Sequence, residues 1–204
     1  MKKLIVSIGA VILMFCASGI YAQAGEQANP VAKGNLVIKL FDIGYSFARS
    51  GDLYDGDDAD IFGINDSHLG MMNDAYYPVG TEVNYFIIDG LAVGGSVHYA
   101  STETSSGDSI DIWSIGPSVH YYYNTGSAIL PYASLSYIYS KAKIGETIDY
   151  DFTRIPIGAG AAFMLGEHIA LYGQFVYSFN SKDNGTDAID GTMAIFSAGV
   201  KAFF

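Results

Sequence analysis

The stretch Trp113-Ser114-Ile115-Gly116-Pro117-Ser118-Val119-His120-Tyr121-Tyr122-Tyr123 decides the fold. Read alternately, it separates Trp113, Ile115, Pro117, Val119, Tyr121 and Tyr123 from Ser114, Gly116, Ser118, His120 and Tyr122. Period two is the period of a β-strand, whose successive side chains point to opposite faces. One face is apolar, and the other is small and weakly polar. In a soluble barrel the outer face meets water and carries many Lys and Glu; neither face does so here. The pattern fits a strand whose apolar face meets lipid while its small polar face lines a narrow interior.

Working outward, the same alternation recurs from residue 35 to the end of the chain. Eight segments emerge, at about 35–49, 75–88, 91–103, 109–123, 128–141, 148–165, 169–180 and 189–204. Each is long enough for a tilted strand to cross a bilayer, which takes about 9–11 residues. The connections alternate in length. Tight turns at Asp89-Gly90, 124–127 and 166–168 carry hairpin chemistry. Longer polar loops cover 50–74, 104–108, 142–147 and 181–188. Short turns at one end and long loops at the other predict an all-β fold, an eight-stranded antiparallel up-and-down transmembrane β-barrel. Closing the sheet removes edge strands, whose unpaired backbone groups hydrocarbon does not tolerate. Proline fits poorly inside a strand, so bulges or unpaired strand ends are expected at Pro78, Pro117, Pro131 and Pro156. Tyrosines gather toward strand ends (Tyr76, Tyr77, Tyr121, Tyr123, Tyr137, Tyr139), as interfacial girdles require.

Composition agrees. Only 15% of the 204 residues are charged, against about 25% in soluble domains. The formal net charge of −11 argues against nucleic-acid binding, which needs a basic face. Lys2 and Lys3 precede an apolar run over 4–15 and then Ala22-Gln23-Ala24, the pattern of a secretory signal peptide cleaved after Ala24 or after Ala22. Cys16, the one cysteine, lies in that leader behind Met14 and Phe15, a context unsuited to lipidation. The expected organisation is a signal peptide at 1–24, a short periplasmic segment at 25–33 and an outer-membrane barrel at 34–204.

The chain ends with Phe196, Ala198, Val200, Ala202 and Phe204 alternating onto one face. This resembles the β-signal read by the barrel assembly machinery, except that Ala202 stands where an aromatic is usual. The stretch Asn84-Tyr85-Phe86-Ile87-Ile88-Asp89-Gly90-Leu91-Ala92-Val93-Gly94 resembles the first hairpin of the outer-membrane β-barrel domain family. Gly116-Pro117, Tyr121-Tyr122 and Leu130-Pro131-Tyr132 are similar to that family's central hairpin. The family comprises small eight-stranded barrels such as outer membrane protein X, the opacity proteins and the membrane domain of outer membrane protein A. The resemblance covers essentially the whole mature chain. It implies a bacterial outer-membrane location and contact with membrane lipid and lipopolysaccharide. It is a poor guide to activity, because the family holds adhesins, stabilisers and proteins without a known role.

Eight strands enclose room for side chains and not for an open pore. By alternation Asp42, Glu82, His98, Arg154, Gln174 and Lys201 point inward, and buried charges need partners, so a hydrogen-bonded polar plug is expected. A porin-like ion path through rearranged pairs is the functional alternative. The first loop carries Asp52, Asp55, Asp57, Asp58, Asp60, Asp66 and Asp74; Asp55, Asp57, Asp58 and Asp60 are weak metal candidates without the EF-hand pattern. Lipid-A-modifying chemistry would need Ser, His and an acid to converge. Ser118 and His120 share an inward face, and Asp66-Ser67-His68 are merely adjacent in a loop, so no catalytic site is expected. The expected function is non-enzymatic: a monomeric barrel with a structural or surface-interaction role, meeting host or surface ligands through its loops, without cofactor or nucleic acid.

Overall fold

The computed structural model describes residues 29–54, 61–64, 79–103, 109–144, 148–183 and 188–204. The strands are β1 (Leu36–Ser50), β2 (Ile61–Ile64), β3 (Val79–Ile88), β4 (Leu91–Glu103), β5 (Ser109–Tyr122), β6 (Ile129–Ser136), β7 (Ile138–Ile144), β8 (Ile148–Met164), β9 (Ile169–Asp183) and β10 (Ala188–Phe203). All pairings are antiparallel, and β10 returns to pair with β1 from Val37↔Phe203 to Ser50↔Thr192, which closes the sheet.

The wall has eight positions. β2 and β3 share one: β3 pairs with the lower part of β1 and β2 pairs with it higher up, at Ile43 to Ser46. β6 and β7 share another, interrupted at Tyr137. Pro117 lies opposite that interruption on one side, where Tyr137 N–H donates to its carbonyl at 3.1 Å. On the other side, the register from Leu135↔Ile157 to Ile138↔Arg154 places Pro156 opposite Ser136. Each proline lacks the N–H of its ladder rung, so one wall strand loses bonds on both edges at one height. The register runs through both prolines, and through Pro131↔Ala161, without a shift. The expected bulges therefore lie elsewhere, at Lys39/Phe41, Ser46/Ala48 and Phe86/Ile88. Pro78, Tyr76 and Tyr77 lie outside the described residues.

Several strands outrun the loop boundaries read from the sequence. β7 reaches Ile144 and β9 reaches Asp183, where paired backbone continues through rungs such as Lys143↔Asp149 and Asp151↔Asp183. β2 also lies inside what reads as an uninterrupted first loop; it is only four residues long, too short for alternation to register.

The outer face is apolar, with Ile115, Val119, Leu135, Ile157 and Phe175 exposed. Tyr85, Tyr121 and Tyr123 are exposed toward the tight-turn end. Tyr99 and Trp113 are exposed toward the loop end, where Trp113 meets Tyr139 edge-on at 5.5 Å. Tyr99 and Tyr139 donate hydroxyls to Asp111 (3.0 Å) and Asp151 (2.8 Å), as amphipathic rings do at an interface. Among the described residues no helix is long and apolar enough to cross a membrane; the crossing elements are strands.

Candidate functional site

The interior is built in layers from the tight-turn end upward. Residues 29–35 hook across the lower mouth. Gly34 is the hook's turning point, with a φ of 98° that L side chains rarely adopt. Gly90 N–H donates to the Val31 carbonyl at 2.8 Å, Lys33 N–H to Asp89 Oδ1 at 2.7 Å, and Asn124 Nδ2 to Asn29 Oδ1 at 3.0 Å. These bonds press Val31 into an aromatic layer of Phe86, Tyr122, Tyr132, Tyr172 and Phe203, in which every member is buried. Tyr122 and Tyr132 lie 5.0 Å apart, and Phe203 meets Tyr122 edge-on at 5.8 Å.

Above this floor stand the interior charges. Lys201 Nζ sits 3.9 Å over the Tyr132 ring and 4.6 Å over the Tyr172 ring, and donates to Tyr122 Oη at 3.0 Å. A buried ammonium is held here by aromatic faces and a phenol oxygen. Glu82 is the hub. Its carboxylate lies 3.8 Å from Lys39 Nζ and 2.5 Å from His120 Nε2, and accepts from Asn84 Nδ2 at 2.6 Å. Asn84 in turn accepts from Ser118 Oγ at 2.7 Å. Lys39 also reaches Asp42 at 3.6 Å.

Higher still, Ser140 donates to Ser114 (2.7 Å) and Ser178 to Asn180 (2.8 Å). Between the charged layer and this upper layer is a cavity of about 50 Å³, lined among others by Lys39, Glu82, Gln174 and Arg154. That is room for a few water-sized particles and no more.

Of the six residues singled out for the interior, Asp42, His98, Arg154 and Lys201 are buried, and Glu82 and Gln174 are partly buried. Asp42 and Glu82 are joined through Lys39. Gln174 accepts from Tyr132 Oη at 2.9 Å. His98 sits higher, across from Ser114, and Arg154 lies beyond the cavity, across from Ile138 and Asn180. Lys39 is an inward charge that alternation does not predict. Strict alternation puts residues 39 and 42 on opposite faces, but the bulge between Lys39 and Phe41 inserts one residue and turns both inward. A bulge has no period-two signature, although the short Lys-x-x-Asp spacing is a clue to one. His120 as the partner of Glu82 also needs the strand register, which alternation does not supply.

Ser118 and His120 do share the inward face, yet the Ser118 proton is directed to Asn84 and the His120 ring faces Glu82. They do not form a nucleophile–base pair. Residues 66–68 and the metal candidates Asp55, Asp57, Asp58 and Asp60 lie outside the described residues. Among the described residues no group of three or more His, Cys, Asp or Glu is placed to hold a metal ion.

At the seam, Leu36 and Phe204 exchange backbone hydrogen bonds at 2.8 and 2.9 Å. The Phe204 ring stacks on His168 at 6.0 Å, and His168 Nδ1 lies 2.8 Å from the Phe203 carbonyl. Phe196 is exposed on the wall, while Ala198, Val200 and Phe204 are half-buried and Ala202 is covered.

Comparison with known proteins agrees with this architecture. The structure of Neisserial surface protein A is similar over 83% of this chain and 97% of its own, with a TM-score of 0.56 at 17% identity. OprG of Pseudomonas aeruginosa aligns over 88% of this chain and 99% of its own, with a TM-score of 0.48 at 14% identity. Ail, the attachment invasion locus protein of Yersinia pestis, aligns over 84% and 99%, with a TM-score of 0.46 at 14% identity. Among curated proteins no sequence matches. The sequence profile of the family described as Outer membrane protein beta-barrel domain matches residues 8–202, and with the closed eight-position barrel it shows that this chain is a bacterial outer-membrane protein belonging to that family.

Proposed function

We propose that the protein is a non-enzymatic surface-interaction barrel: a filled wall that anchors and displays four outer loops. The observation that supports this reading is the packed interior. The hook at 29–35, the aromatic floor and the Glu82-centred charges fill the lower lumen, and the cavity directly above them is about 50 Å³, which supports a wall that serves as an anchor rather than a path for a solute. What such a molecule presents to the outside is its loops, and loops on a rigid scaffold are where binding specificity usually sits. In this reading the leader over 1–24 is removed in transit and the alternating C-terminal residues guide assembly. The monomer then contacts lipid and lipopolysaccharide.

The test is loop exchange in the native cell. Segments 55–60, 65–78, 104–108, 145–147 and 184–187 are replaced by neutral Gly/Ser sequences of equal length, with retained folding checked by gel migration before and after boiling. The reading expects a folded barrel that has lost attachment to surfaces or to secreted host proteins. Unchanged attachment by a fully exchanged barrel would overturn it.

A further inference from the structure

We propose that the barrel interior holds a small monovalent anion of halide size, bound between Arg154 and the serine-lined cavity beneath it. The case begins with the buried charges. Among the described residues around the cavity and the layer below it, Lys39, Arg154 and Lys201 face inward with Asp42 and Glu82. Four of these five have their partners in the charged layer. Lys39 meets both carboxylates, Glu82 also meets His120, and Lys201 rests on aromatic rings and the Tyr122 hydroxyl.

Arg154 is the exception. Its residue is 6% exposed, no carboxylate among the described residues lies within ion-pair distance, and its Nε finds no hydrogen-bond partner among them. Neighbouring Asn180 across the ladder turns its carboxamide to Ser178. A buried guanidinium with an unpaired Nε and no carboxylate among the described residues is costly, and unlike lysine it does not escape by losing its proton.

The space next to it is shaped for a negative guest. The cavity of about 50 Å³ is bordered by Arg154, Gln174, Ser134, Ser136 and Ser197, and toward the charged layer by Lys39, His120 and the Glu82 carboxylate that those two hold. Ser197 Oγ is buried without a partner among the described residues. Gln174 commits its carbonyl oxygen to Tyr132, which leaves its amide N–H groups to donate. On the Arg154 side, a guanidinium, hydroxyls and a carboxamide all donate, and together they match a spherical anion, while the Glu82 carboxylate below is held by Lys39 and His120. One negative charge would stand opposite the Arg154 guanidinium, and the volume suits one ion with a water rather than a carboxylated metabolite.

The experiment uses the full-length barrel folded in detergent and crystallised from bromide, with anomalous diffraction at the bromine edge. The expected result is one bromide in the cavity beside Arg154. In parallel, the thermal unfolding midpoint is followed on replacing gluconate by bromide at constant ionic strength. It should rise saturably in the parent protein and stay flat in Arg154→Gln. Arg154→Lys, which keeps the charge, should retain part of the shift. Water alone in the cavity, or a carboxylate from the protein's own loops seated on Arg154, would overturn the proposal, as would a bromide response of equal size in Arg154→Gln.

Discussion

Glu82 is where the interior charges converge, and its replacement has the sharpest consequence at the level of a single residue. In Glu82→Ala, Lys39 loses one of its carboxylate partners, while His120 and the Asn84 amide lose their acceptor. Breaking a buried pair by removing one partner strands the other charge and costs about 3–5 kcal/mol. The urea midpoint of the refolded barrel should fall accordingly, and Glu82→Gln should recover part of the loss because it still accepts from Asn84. An unchanged midpoint in Glu82→Ala would remove the hub from the account. Asp42, Glu82 and Lys201 are readable as inward-facing from alternation alone. Lys39 is not, since the bulge beside it reverses the parity on which that reading depends.

Strands carry the next level of specification, and backbone proximity sets which glycines they require. A Cβ on Gly94 would collide with the Val83 carbonyl oxygen and the Asn84 Cα, which are backbone atoms that cannot yield. A Cβ on Gly173 would meet the Phe196 ring at 3.8 Å, an ordinary contact. Gly94→Ala should therefore cost about 1–3 kcal/mol or block assembly, whereas Gly173→Ala should stay within about 1 kcal/mol of the parent protein. Both are measured by urea unfolding in detergent, and equal effects would contradict the proximity argument. At the seam, deleting Phe204 removes two backbone bonds to Leu36 and the stack on His168. The expected loss is about 2 kcal/mol, seen as lower folded yield and a lower unfolding midpoint. A deletion with parental yield and midpoint would show that the last residue does not help to close the barrel. Strand existence, direction and facing were legible because lipid outside and a narrow interior enforce period two. Interruptions were less legible: the gap at Tyr137 needs two prolines from different strands to face one height, which only the register reveals.

The whole molecule is a closed wall with a filled lumen. Its lower half is sealed by a hook that sequence periodicity does not mark, because Val31 enters the core from an irregular segment rather than a strand. The sparse charge content of the chain follows from this architecture. Apolar stripes face outward, and inward charges are few, most of them gathered around Glu82 and Lys39. The loop chemistry, dominated at 50–74 by aspartates, has no repeating period from which a binding geometry could be read. The fold was thus far more legible than the site, since the fold is a periodic property and the site depends on bulges, register and loops. The central claim is that the wall anchors loops and conducts nothing. Planar-bilayer recording of the purified, heat-modifiable barrel tests it most directly. The account predicts no steady unitary current at any applied voltage; regular current steps from the parent protein that vanish in Glu82→Gln or Arg154→Gln would contradict it.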